Sequence, residues 1–203
     1  MDAPKLVDIE QVSDGWIKKY VLTYQMPNGS MHPYEVASRK SLDDYRALLE
    51  RNAAGLPPKG ADAVCIVART PDDTLLMIRE FRYPLNSWCI AFPAGLIDAG
   101  ESLFTCADRE LREETGYGVV EGTDVRPLPQ AGYSSTGMSD ETVQVVFVEA
   151  EKVADAHPEP NELIEVFELP IADIGTFMEA NETPIGTRAQ LILEGFRREN
   201  AAK

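Results

Sequence analysis

The chain has 203 residues, enough for one globular domain with a full core and a small appendage. Hydrophobic residues make up 44% and charged residues 26%, a balance that excludes a disordered chain, and no apolar run reaches membrane-spanning length. The formal net charge of −15 excludes the basic footprint of a nucleic-acid binder, but a local arginine cluster or a bound cation could still hold a small anionic substrate.

The start MDAPKLVDIE lacks a basic-then-apolar signal pattern, so a soluble cytoplasmic protein is expected. Residues 1–58 read as a β-rich appendage. WIKKYVLTYQ has strand character, the turn signal Pro27-Asn28-Gly29 follows, and PYEVASR is a second short strand. SLDDYRALLERN predicts a short helix or irregular cap beginning at Ser41, and AGLPPKG at 54–60 is the linker. Residues 59–203 form the main domain. ADAVCIVAR and TLLMIREF make a hairpin around TPDD, and WCIAFPAG is a short strand broken by Pro93 and Gly95. A helix comes next, then the strands TVQVVFVEA and ELIEVFEL, with Pro170 and Pro184 placed in the first turns of C-terminal helices. Cys65, Cys89 and Cys106 form no CxxC pair and are read as reduced core residues; His32 and His157 give little support to a zinc site.

The central helix carries the chemistry. With Ser102 as N-cap it runs from Leu103 to Thr115 and stops at Gly116. Glu110, Glu113 and Glu114 share about a third of its circumference, where like charges repel. Leu103, Phe104, Ala107 and Leu111 form the adjoining apolar stripe, so the carboxylates sit at the margin of the buried face. Arg109 reaches Glu113 four residues on, whereas Glu101 joins the group only if its loop folds back. A charge run is usually a solvated face. Here lysine is absent from the stretch and glycines bracket it, which suits a hard cation such as Mg²⁺ that shares its oxygen ligands with phosphate.

Gly95, Glu101, Arg109, Glu110, Leu111, Glu113, Glu114 and Gly116 stand in the order and spacing of the Nudix box, and the segment resembles it. Leu111 matches as an apolar residue and the other seven as identities, which at roughly one in fifteen each arise by chance about once in 10⁸, so the resemblance is specific. Tyr117 departs from the aliphatic residue usual there, which touches packing more than chemistry. REFRYP with CIAFPAGLIDAGE, DGWIKKYVLTYQMPNGSMHPYEVASR and NELIEVFELP are similar to segments of the ADP-ribose and ADP-sugar pyrophosphatase branch. The resemblance implies an α/β Nudix fold, a mixed β-sheet sandwiched between helices, with a small N-terminal β-rich subdomain that mediates a homodimer.

It also implies site residues. The Ala94 carbonyl, Glu110 and Glu114 would be the main metal ligands, for Mg²⁺ or Mn²⁺, with Glu113 and Glu101 secondary and Arg109 supporting them. Glu162 would activate water or hold a metal, with Glu159 as the alternative. Trp16 and Tyr34 would sandwich adenine from two subunits, although both types also suit the core of a β-unit. Glu35 and Arg39 would lie near base and phosphates, Arg82 would contact phosphate, and Gly137 in YSSTGMSDE would approach the nucleotide. The branch often has Glu at the position of Ala91 and Pro at that of Thr136, and the second departure bears on the preferred sugar. The implied reaction is hydrolysis of ADP-ribose to AMP and ribose 5-phosphate. The alternatives are another nucleoside diphosphate substrate such as GDP-mannose, or an idle domain that senses nucleotide.

Overall fold

The computed structural model describes residues 2–201. In chain order its elements are β1 (Lys5–Gln11), β2 (Lys18–Gln25), β3 (Met31–Ser38), α1 (Leu42–Ala53), β4 (Ala63–Arg69), β5 (Thr74–Arg82), β6 (Ser87–Ala91), β7 (Ala94–Leu96), α2 (Leu103–Thr115) and β8 (Tyr117–Val119). They are followed by β9 (Arg126–Pro127), β10 (Gly132–Tyr133), β11 (Thr142–Lys152), β12 (Ile164–Pro170), α3 (Ile174–Ala180) and α4 (Thr187–Ala201). The chain divides into two compact units, residues 1–62 with 131–143, and residues 63–130 with 144–203.

The first unit is built on the antiparallel sheet β1-β2-β3, one strand more than the two expected. The extra strand hides in sequence because a bulge between Leu6 and Asp8 breaks its alternation. Leu6 and Ile9, three residues apart, consequently both join the core of Tyr20, Leu22 and Tyr45. Helix α1 begins where Ser41 Oγ accepts the Asp44 N–H, and Tyr45 packs its ring 4.8 Å from Tyr20.

Residues 131–143 return to this unit from far along the chain. Ala37 N–H donates to the Met138 carbonyl at 2.9 Å, and Asp62 ties the return in place. The Asp62 carboxylate accepts the Thr142 N–H (2.8 Å), the Thr142 hydroxyl (2.9 Å) and the Lys40 ammonium (2.8 Å). Burial pushes the Asp62 carboxyl up, but Lys40 and both Thr142 donors outweigh it and hold it below its ordinary 3.8. A depressed folded value stabilises the fold above pH 3.8, and this contribution is lost as pH falls through the folded value. Asp62→Asn should therefore cost about 1.5–3 kcal/mol at pH 7. In urea titrations the gap from wild type should close below about pH 4; a gap that stays constant with pH would mean that the charge contributes nothing.

The second unit holds a mixed sheet in the order β11-β4-β5-β12, with β6 on β5, β7 on β4, and β8 and β9 on β11. Strand β4 is buried from Ala63 to Ala68, as expected of a strand covered on both faces. Alternation assigns the faces. Val64, Ile66, Ala68, Leu76, Val146 and Val148 pack with Cys106, Ala107 and Leu111 of α2. Phe167, one residue out of phase with Val166, stacks 5.9 Å from Phe177 of α3.

All three cysteines are buried and unpaired. Pro170 ends β12 and precedes a 3₁₀ turn, Ile171–Asp173, instead of starting a helix. Pro184 lies outside α4, where its carbonyl accepts the Ile90 N–H at 2.7 Å and extends the edge of β6. A strand-like contact thus takes the residue that helix-start statistics favoured. Among the described residues no helix is long and apolar enough to cross a membrane.

Candidate active site

Helix α2 has the predicted bounds. Ser102 Oγ accepts the Thr105 N–H at 3.1 Å, and Gly116 takes a left-handed φ of 72° while donating to the Arg112 carbonyl. Its inner face differs from the expected stripe: Phe104 is 47% exposed and Glu114 only 4%. The cause is geometric, because Ala107, Leu111 and Glu114 are spaced four and three residues apart and so share the face turned to the sheet.

Glu114 is thus a carboxylate inside the core margin. Its Oε2 accepts the Ala94 N–H at 3.2 Å, which ties it to the backbone that precedes Gly95. Burial first, then the charges of Glu110, Glu80 and Glu162, raise its carboxyl well above the ordinary 4.5. Glu110 is raised by burial too, against the pull of Arg109 and with the push of Glu113 and Glu162. A Cβ added at Gly95 would collide with the Glu110 carboxyl group, so the missing side chain is the space that this carboxylate fills.

Arg109 organises the rest. Its guanidinium is bidentate to Glu101, with Nε–Oε1 and Nη2–Oε2 both 3.0 Å, and it reaches Glu110 at 2.8 Å and Glu113 at 3.2 Å. The loop before α2 does fold back, since Asp98 N–H donates to Glu101 and Glu101 N–H to the Asp98 carbonyl, both at 3.0 Å. Arg109 holds the Glu101 carboxyl down at about 2.

The C-terminal carbonyls of α2, which a helix cannot satisfy itself, seat the next loop. Val153 and Ala154 N–H donate to Gly116, His157 N–H to Glu113, and Lys152 Nζ to Thr115. This loop leads to Glu159 and Glu162, joined in a turn by Glu162 N–H donating to the Glu159 carbonyl. The charge of Glu162 acts on Glu80, Glu110 and Glu114.

Glu80 went unnoticed in sequence. Its side chain is 14% exposed, and Arg82 Nη2 lies 2.8 Å from its Oε2. The available signal was alternation, since β5 places Leu76, Glu80 and Arg82 on the face that meets α2.

Glu80, Glu110, Glu114 and Glu162 influence one another with Arg82 and Arg109 as the nearby cations. Like charges that are buried or half-buried and offer oxygen ligands fit a hard divalent cation. Among the described residues no three of His, Cys, Asp and Glu are already gathered as a metal cage. Instead Glu101, Glu110 and Glu113 share Arg109, Glu114 accepts the Ala94 N–H, Glu80 lies against Arg82, and Glu162 accepts the Glu159 N–H.

In the first unit, Tyr34 Oη donates to the Gly137 carbonyl at 2.8 Å, so two expected residues 103 positions apart meet. Glu35 pairs with Lys19 at 2.7 Å and Arg39 with Glu141 at 2.7 Å. Trp16 is 73% exposed and so is not a core residue. A Cβ at Gly137 would meet only Tyr34 Oη at 3.8 Å, so packing does not demand glycine there.

Residues 59–189 match the NUDIX domain family. The chain is 33% identical over 182 residues to the ADP-sugar pyrophosphatase of Mus musculus, covering 84% of this chain and 75% of that protein. It is 30% identical over 181 residues to the ADP-ribose pyrophosphatase of Bacillus subtilis (strain 168), covering 88% and 84%. A crystal structure of an ADP compounds hydrolase superposes with a TM-score of 0.70 at 21% identity, over 98% of this chain and 94% of that one, and shows the fold. The chain belongs to the NUDIX family.

Proposed function

We propose that the protein hydrolyses the pyrophosphate bond of ADP-ribose or a related ADP-sugar, giving AMP and a sugar phosphate, with Mg²⁺ or Mn²⁺ as cofactor. The observation that carries this reading is the burial of Glu110 and Glu114 against Ala94 and Gly95, under the charge of Glu162. The names of the mouse and Bacillus relatives support the substrate class.

In this reading the Ala94 carbonyl, Glu110 and Glu114 hold the cation, with Glu113 and Glu101 outside them and Arg109 keeping their geometry. A bound divalent cation would supply charge neutralisation at the diphosphate and a more acidic water. Glu162 takes a proton from the attacking water as its oxygen bonds to phosphorus. Arg82 steadies the phosphate that leaves when the bridging P–O bond breaks. Base recognition is assigned to Trp16 and Tyr34 by stacking, with Glu35, Arg39 and Gly137 nearby. The free, buried cysteines support a reducing compartment, in keeping with the cytoplasm.

Turnover of ADP-ribose, ADP-glucose and GDP-mannose with Mg²⁺ and with Mn²⁺, read as phosphate released by added phosphatase, tests the reading. Faster turnover of GDP-mannose would reassign the substrate. Binding without turnover of any of them would leave only a sensing domain.

We further propose a homodimer through the first unit, where Val7, Val12, Trp16, Ile17 and Met31 are all exposed. Trp16→Ala should weaken ADP-ribose affinity by about 0.5–1.5 kcal/mol and leave the metal site intact. Mixing Trp16→Ala with Glu114→Gln subunits should restore one intact site per mixed dimer if Trp16 serves its partner. A monomer in sedimentation would end the shared-site reading.

A further inference from the structure

Glu80 is difficult to justify as a folding element. It sits in mid-sheet, opposite Cys89 on β6 and Ile164 on β12. Its Oε2 is buried, and Glu114 and Glu162 add charge of its own sign. An ion pair in such a place stabilises little, because desolvation offsets the attraction, and an apolar residue of the same volume often does better. The pairing with Arg82 is also incomplete: at 2.8 Å it is close enough for attraction, yet Glu80 Oε2 accepts no hydrogen bond. Arg82 keeps its side chain 46% exposed. A guanidinium has five N–H donors, and contact at Nη2 leaves the others for an incoming anion.

We infer that Glu80 is a positioning residue whose carboxylate holds the Arg82 guanidinium by one corner, so that its remaining donors face the diphosphate. The inference rests on the proposed reading of the site. The two side chains leave β5 two residues apart on one face, so the contact fixes Arg82 without a rearrangement of the backbone. Without Glu80 the exposed guanidinium would sample many rotamers, and substrate binding would have to order it.

The test measures binding of the methylene-bridged, non-hydrolysable analogue of ADP-ribose by calorimetry, with thermal midpoints recorded beside it. Arg82→Ala should weaken binding about ten-fold or more. Glu80→Ala should weaken it several-fold with the thermal midpoint unchanged or higher, and Glu80→Gln, which keeps the shape but removes the charge that attracts Arg82, should lose nearly as much. In the Arg82→Ala background, Glu80→Ala should change binding less than about two-fold, because the group it acts through is gone. Equal losses from Glu80→Ala with and without Arg82 would overturn the inference while leaving the substrate reading intact. So would a lower thermal midpoint with unchanged affinity, the mark of a structural pair. A wild-type protein that does not bind the analogue would overturn both.

Discussion

Glu114→Gln is expected to fold, to melt higher than the wild type in the presence of a chelator, and to lose at least about 100-fold of its hydrolytic rate. Loss of a partner that merely orients a metal ligand already costs 10–100-fold, so loss of a ligand charge should cost no less. The stability gain follows from the buried carboxylate, which has the Ala94 N–H as a hydrogen-bond donor and Glu110, Glu80 and Glu162 as repulsive neighbours. A glutamine oxygen still accepts that N–H and carries no charge to desolvate. The linkage has a definite sign. A folded value raised above 4.5 destabilises the fold as pH rises from 4.5 towards the raised value, and has no effect below it. The chelated wild type should therefore lose ground to Glu114→Gln as pH rises above 4.5. Divalent cation should reverse the order, since a ligand at 100 times its Kd contributes about 2.7 kcal/mol to the state that binds it. Full activity in the variant would remove α2 from the chemistry.

What could be read from sequence was what is encoded locally. The caps of α2 at Ser102 and Gly116, the hairpin at Thr70–Thr74 and the Arg109–Glu113 pair each depend on residues within one or two turns of chain. The burial of Glu114 was missed because Phe104 looked like the better core residue. The sheet decides between them, and it is assembled from strands far apart in sequence. Strand β1 was missed because a bulge shifts its core residues from a spacing of two to three. The return of residues 131–143 to the first unit could not be inferred, since its ties join positions about a hundred residues apart, such as Arg39 with Glu141 and Tyr34 with Gly137. Glu80 was hidden for a different reason. An acidic residue between two arginines in REFR reads as surface charge until the register with β6 and β12 covers it on both sides.

The choice between Glu162 and Glu159 has the same character, because one turn carries both and only the fold separates their surroundings. Glu162→Gln should lower kcat by about 10²–10⁴-fold, the usual contribution of a positioned general base, and change KM little. Glu159→Gln should stay close to wild type. The asymmetry follows from the charge of Glu162, which acts on Glu80, Glu110 and Glu114. For the same reason Glu162→Gln should not lower the thermal midpoint: it removes a repulsion, and a glutamine oxygen can still accept the Glu159 N–H that Glu162 Oε2 accepts at 3.0 Å. If Glu159→Gln shows the large loss instead, the base is Glu159 and the Glu162 charge only tunes the neighbouring carboxylates. If neither variant loses rate, the proton of the attacking water goes to a group outside this turn, and Glu80, the remaining buried carboxylate in β5, becomes the residue to test.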